Sequence, residues 1–146
     1  MRAILTAGAV VLMLGVVGAP NAAAHGSHGP LRWDGESWGS CRLPSGNDHE
    51  VMRLIRCAVD HYPTDLQTAL YVAERESGYE PSAYNGTCCA GVYQQHLDYW
   101  PGRVIAYSHA ASPDLDVQGS PYDARSNVLV SIWMAHHSGW GAWTTA

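Results

Sequence analysis

Four cysteines constrain this chain more than any other feature. They are Cys41, Cys57, Cys88 and Cys89 in 146 residues. What they do depends on the compartment, and the first residues speak to that. Arg2 supplies a small positive start, Ile4 to Val17 is almost wholly apolar, and Ala22-Ala23-Ala24 is a small-residue cleavage pattern. The apolar run is too short to span a bilayer comfortably. Residues 1–24 therefore read as a secretory signal peptide, and the mature chain is expected to be secreted, with no membrane association after cleavage. In an oxidising compartment four cysteines read as disulfides. A bond between the neighbours Cys88 and Cys89 is disfavoured, because adjacent Cα atoms lie closer than a relaxed disulfide wants. The expectation is that Cys41 and Cys57 each pair with one of the adjacent two, with the choice of partner open. The spacing matches no zinc ribbon or finger, and neither a metal nor a cofactor is expected.

Removing residues 1–24 from 146 leaves 122. That is enough for one compact core and too little for two. The chain has 8 basic residues, all Arg, against 13 acidic ones, a formal net charge of -5. No basic cluster could track phosphates, so nucleic acid is not an expected partner. A monomer is the default state.

Residues 25–46 are dense in Gly, Ser and Pro and show no period. They form an irregular arm that carries Trp33 and Trp38 and ends near Cys41. Residues 47–146 form the domain. Asn47 and Glu50 have capping-box spacing, and Val51, Leu54, Ile55, Ala58 and Val59 then repeat as one helix face. Pro63 closes this unit. Thr64 and Gln67 repeat the capping pattern and open a helix through Leu66, Ala69, Leu70 and Ala73, which Gly78 stops. Residues 79–96 change character. Pro81, Asn85-Gly86 and Gly91 are turn signals, and Val92-Tyr93-Gln94-Gln95 reads as a short extended piece. Leu97 to Ala106 reads as a short helix interrupted by Pro101, and residues 112–120 as a polar loop. Ser120-Pro121 or Asp123 can cap a last helix with Val128, Leu129, Ile132 and Trp133 on one face, ended by Gly139. The fold class is mostly α, a small disulfide-stabilised domain with a loop-rich, partly extended segment.

Chemistry concentrates at Ala73-Glu74-Arg75-Glu76-Ser77-Gly78-Tyr79. At 100° per residue, Glu74 and Glu76 flank the apolar stripe at similar angles, so the helical wheel does not choose between them. Position along the helix favours Glu76. The negative end of the helix dipole opposes ionisation of a carboxylate there. An apolar wall, from Tyr79 or Tyr93, would push the same way by desolvation. Both effects suit a general acid that stays protonated near neutral pH. A solvated helix end is the competing reading of the same residues.

Glu76-Ser77-Gly78-Tyr79-Glu80-Pro81-Ser82-Ala83 followed by Ala90-Gly91-Val92-Tyr93-Gln94 resembles the lytic transglycosylase family of the lysozyme-like superfamily. Its members read E-S-x-(aromatic)-(x)-P-x-A and then G-(aliphatic)-(aromatic or Met)-Q. Pro121 to Val128 is similar to the family's D-P-x-x-N-(aliphatic) helix start. Gly139-Trp140-Gly141-Ala142-Trp143 is similar to the G-W-x-x-W ending of actinobacterial secreted and phage-borne members. The resemblance spans residues 49–146.

The resemblance implies a lysozyme-like (SLT-type) domain whose loop segment lies beside a cleft. It implies action on peptidoglycan glycan strands at the cell wall. Glu76 matches the catalytic glutamate that protonates the oxygen between N-acetylmuramic acid and N-acetylglucosamine and then acts as base. In a lytic transglycosylase the base step activates the sugar's own 6-hydroxyl; in a lysozyme it activates water. Only the lysozyme route needs the usual second carboxylate, and no motif places one; Asp98 and Asp123 read more readily as caps. The implied substrate-binding positions are Ser77, Tyr93, Gln94, Tyr99 and Asn127, with Tyr93 and Tyr99 suited to stacking on sugar faces. Each has a plainer alternative in a cap, core or surface role. Gln95 departs from the pattern, which has an apolar residue after the Gln, and Cys88-Cys89 replaces part of a small-residue loop. Acidic net charge would not steer a free enzyme toward an anionic wall. A hydrolysing lysozyme, and a wall-binding or inhibitory module without catalysis, remain alternatives on the same residues.

Overall fold

The computed structural model describes Cys41 and residues 48–143. The expected signal peptide, most of the expected arm with Trp33 and Trp38, and Asn47 lie outside the described residues. The domain is mostly helical: α1 (Asp48–His61), α2 (Leu66–Ser77), α3 (Trp100–Ala110) and α4 (Ala124–Ser138) are accompanied by a two-stranded sheet of β1 (Cys89–Ala90) and β2 (Gln95–His96) between α2 and α3 in the chain. Two 3-10 turns, Pro113–Leu115 and Trp140–Trp143, complete it.

α1 buries the stripe its periodicity requires. Val51, Leu54, Ile55 and Ala58 are at most 2% exposed, and the face packs on α4. Each large apolar side chain so buried contributes roughly 1.5–3 kcal/mol before entropy is charged. α2 follows at the Tyr62-Pro63 corner. Its cap is Asp65, one residue beyond the expected Thr64: the Asp65 carboxylate accepts from Thr68 N at 2.7 Å and Thr68 Oγ1 at 2.6 Å. The helix ends as expected at Gly78, whose φ of 62° is the left-handed turn that glycine tolerates.

Pro101 does not interrupt α3; it sits in the first turn, where its missing N–H is no loss. The loop over residues 112–120 is not wholly polar, since its 3-10 turn buries Leu115, whose carbonyl accepts from Tyr107 Oη. Asp123 caps α4, accepting from Ser126 N at 2.8 Å. α4 differs from the expected one-faced helix. Seven consecutive residues, Ser126 to Ile132, are buried, so it runs through the middle of the domain. It packs on α1, while Ser126 accepts from Gln118 N in the preceding loop, Asn127 donates to Pro121 O and Ser131 accepts from Gln95 on β2.

The extended segment is displaced from its expected place. Residues 91–94 form a tight turn, and the strands flank it, pairing Cys89 with His96 and Ala90 with Gln95. The expected disulfide pairing is also corrected. Cys41 bonds Cys57 and Cys88 bonds its neighbour Cys89. The reason is position. Cys41 and Cys57 both belong to the core cluster, with Cα atoms 5.6 Å apart. Cys88 ends the turn before β1 and Cys89 begins that strand, and here Asn85 Oδ1 accepts from Thr87 N, Cys88 N and Cys89 N and gathers the backbone around one atom.

Candidate active-site cleft

The C-terminal end of α2 opens into a cleft of about 330 Å³ lined by Glu76, Gln94, His96, Tyr99, Arg103 and Trp143, with Asn85, Cys89 and Ala142 completing it. Glu76 reaches it because Gly78 ends the helix two residues later and turns the chain away. The two glutamates that the wheel left equivalent are now distinct. Glu74 is exposed, and Glu76 is partly buried in the cleft wall. Burial alone pushes the Glu76 carboxyl pKa above its ordinary value, with no cation lowering it. The apolar wall is not the expected Tyr79 or Tyr93, neither of which lines the cleft; Trp143 and Ala142 do.

Ser77 does not line the cleft. Its hydroxyl donates to Val92 O at 2.8 Å and ties the end of α2 to the 91–94 turn. Tyr93 is wholly buried, and its hydroxyl donates to Ala69 O at 3.0 Å, so it offers no face to a sugar. Asn127 is likewise no cleft residue. Its Oδ1 accepts from Tyr93 N at 2.8 Å, and its Nδ2 donates to Ala90 O at 3.1 Å and Pro121 O at 2.8 Å. Both polar atoms of its amide are engaged by backbone, so that it ties the turn and Pro121 to α4, which passes directly behind the turn.

Gln94 and Tyr99 do line the cleft. Gln94 has φ 44°, and its Nε2 donates to Gly91 O at 3.0 Å and Ala83 O at 3.3 Å. Its Oε1 is buried and has no hydrogen-bond partner among the described residues, an acceptor that a ligand hydroxyl or amide could satisfy. Tyr99 is 62% exposed and presents its ring at the rim, with the His96 ring 4.6 Å away. Gln95, next to Gln94, faces the opposite way. It is 1% exposed, its Nε2 donates to Ser131 Oγ at 2.7 Å, and its Oε1 accepts from Arg103.

Sequence reasoning passed over Asn85, Cys89, His96 and Arg103. Arg103 carried a usable signal, since Tyr99 and Arg103 are four apart and share a face at the start of α3. The others reach the cleft only through the turn geometry of residues 85–96. Glu76 is the one carboxylate among the lining residues. Asp123 serves as the α4 cap, and Asp98 is exposed outside the lining. Among the described residues the closest grouping of metal-ligand types is Cys41, Cys57 and His61, whose two sulfurs are joined in a disulfide and offer no thiolate. No helix among the described residues is long and apolar enough to cross a membrane. Comparison with protein-family models, with curated proteins and with solved structures returns no match for this chain.

Proposed function

We propose that this chain is a secreted, lysozyme-like glycosidase that cleaves peptidoglycan, acting as a lytic transglycosylase on the β-1,4 bond between N-acetylmuramic acid and N-acetylglucosamine. The observation that supports it most is the state of Glu76: a carboxyl in a cleft, desolvated, with its pKa raised and no second carboxylate in the lining. A raised pKa shifts the carboxyl toward its protonated, proton-donating form. The Glu76 carboxyl gives that proton to the glycosidic oxygen as the C1–O bond breaks, and the N-acetylglucosamine end leaves with a free 4-hydroxyl. The resulting carboxylate takes the proton of the muramyl 6-hydroxyl as that oxygen bonds to C1. The product is a 1,6-anhydro sugar, and Glu76 is protonated again. This route uses one carboxylate, whereas a two-carboxylate hydrolysis asks for a partner across the bond. Tyr99 at the rim suits a sugar face, and Gln94 Oε1 suits a sugar hydroxyl or acetamido N–H.

The test is mass spectrometry of soluble products from purified peptidoglycan, with Glu76→Gln beside the wild type. Wild type is expected to release anhydro-muramyl ends. Glu76→Gln is expected to lose about 10²–10⁴-fold in rate, the usual size of a general acid–base contribution. Undiminished activity in Glu76→Gln overturns the assignment. Reducing ends from wild type would make the enzyme a hydrolase. Retention on insoluble wall with no release would make it a binding module.

A further inference from the structure

We propose that Arg103 is an anion-binding residue of this cleft, so that its preferred ligand is a glycan bearing a carboxylate which the guanidinium grips directly. The inference rests on the reading of the cleft as a glycan site and adds the chemical class of glycan that it selects.

Arg103 stands on α3 and lines the cleft together with Glu76. It is held on two sides. Nη1 donates to Gln95 Oε1, and the Tyr99 ring centroid lies 5.6 Å from Cζ. Gln95 is itself immobilised through Ser131 Oγ on α4. A guanidinium has five N–H donors. No carboxylate among the described residues pairs with this one, although burial penalises its charge and lowers its pKa. A partly desolvated cation with no counter-ion is costly, and a ligand carboxylate would offset the cost with a planar, two-pronged match that suits arginine better than lysine.

Glu76 is not the missing counter-ion. A guanidinium beside it would hold its carboxyl pKa down, whereas desolvation alone raises it. The two groups therefore serve different parts of a ligand. Two features of the sequence now have one explanation. Gln95 stands where an apolar residue is expected because its carbonyl oxygen is the seat of Arg103. The net charge of -5 opposes an anionic substrate in bulk, and a single fixed cation in the cleft supplies the local attraction that the surface lacks.

Two sources could supply the carboxylate: the lactyl group of muramic acid after stem-peptide removal, or the stem peptide itself. Two pairs of strand preparations separate them: peptide-free strands with the lactyl carboxylate free or converted to the neutral methylamide, and peptide-bearing strands with free or amidated peptide carboxylates. Cleavage is followed as KM against kcat, and binding by calorimetry on the same strands. For wild type we expect an acid strand to be favoured over its neutral counterpart by about tenfold or more in KM and Kd, the size of a charge-assisted hydrogen bond. Arg103→Gln should bring that preference to within about twofold in both KM and Kd. Arg103→Lys should keep part of it. Gln95→Leu should weaken it with the charge still present, which a merely structural Arg103 would not do.

The pair that shows the preference identifies the carboxylate. Equal affinity of wild type for acid and neutral strands of both kinds overturns the inference, and this arm needs no variant to fold. An unchanged preference in a folded Arg103→Gln overturns it as well. Should Arg103→Gln fail to fold, an undiminished preference in Arg103→Lys does the same. Arg103-dependent binding without cleavage supports this inference and defeats the catalytic reading. Cleavage that ignores the carboxylate does the reverse.

Discussion

Along α1 the residues that face the core are Val51, Leu54, Ile55 and Ala58, and apolar area holds them there. Along residues 79–96 the work is done by polar atoms. Ser77, Asn85 and Asn127 hold the backbone of this segment through six hydrogen bonds to its N–H and C=O groups (among them Ser77 Oγ to Val92 O), and Tyr93 Oη and Trp143 Nε1 each add one between this segment and the rest of the domain. Tyr79, Gly86, Gly91 and Gln94 have positive φ, while no residue of α1 does. The first region needs residues of roughly the right size and greasiness, and volume-conserving exchanges there are tolerated. The second needs particular atoms at particular places. That difference is what allows a site to exist: the cleft residues Asn85, Cys89, Gln94 and His96 all come from the second region, and the first gives it something rigid to hang from.

The comparison can be broken first at Gly91. Its φ is 78°, and a Cβ built there would lie 2.1 Å from Pro121 O and 2.3 Å from Asn127 Nδ2. Gly91→Ala therefore meets left-handed strain and two partners that cannot withdraw without losing the turn. We expect a loss of about 2–5 kcal/mol in urea unfolding, the sum of roughly 1–2 for the backbone and 1–3 for overpacking. That rivals the roughly 2–5 kcal/mol expected for emptying the core with Ile55→Ala. One added methyl in the polar region should thus cost as much as three removed heavy atoms in the apolar one. A Gly91→Ala protein within 1 kcal/mol of wild type, by order of magnitude, would show that the turn is soft and that the contrast between the regions is overdrawn.

The same division explains what could be read in advance. The helices α1 and α2 and the stop at Gly78 follow from period and capping chemistry, which are local. Glu76 was legible because its reason is also local, a carboxylate at a helix end before a turn. Tyr93 and Asn127 were misplaced into the cleft because the choice between lining and supporting a turn depends on where α4 passes, over thirty residues later. Arg103 was missed because the residue that seats it, Gln95, is in a different element. The adjacent disulfide was argued against from the ordinary spacing of such bonds, and the convergence of three N–H groups on Asn85 is invisible in a list of cysteine positions.

The two disulfides sharpen the comparison at the next level. Cys41–Cys57 closes a loop of sequence separation 16, and Cys88–Cys89 closes one of separation 1. If restriction of the unfolded chain is the main source of stabilisation, the first is worth about 3 kcal/mol and the second very little. The double variant Cys41→Ser/Cys57→Ser should lose about that much in chemical denaturation. Cys88→Ser/Cys89→Ser should lose under about 1 kcal/mol, with its effect confined to the cleft rim and visible in KM on glycan strands. Equal losses from both pairs would mean that the short ring supports the fold as much as the core bridge does, and the rim would then belong with the framework.

The smallest effect concerns two glutamates of opposite behaviour four residues apart. Desolvation raises the Glu76 pKa above 4.5. Hydrogen bonds from Ser82 N and Ser82 Oγ lower that of Glu80. For Glu76 the native state holds its proton more tightly than the unfolded chain. Its favourable contribution is therefore complete below the unfolded value and lost as pH rises through the raised one. Glu80 contributes above the unfolded value, and its contribution is lost as pH falls through the lowered one. Glu76→Gln should accordingly raise Tm relative to wild type at pH 7, with the gain shrinking to nothing in acid below pH 4.5. Glu80→Gln should lower Tm at pH 7, with the deficit shrinking as the carboxylate of the wild type protonates. Thermal unfolding of the two variants across pH 3 to 8 reads both signs in one series. If Glu76→Gln brings no gain at pH 7, the cleft solvates the carboxylate as well as water does, and the argument that burial favours the proton-donating form of Glu76 loses its physical basis even should the residue prove essential.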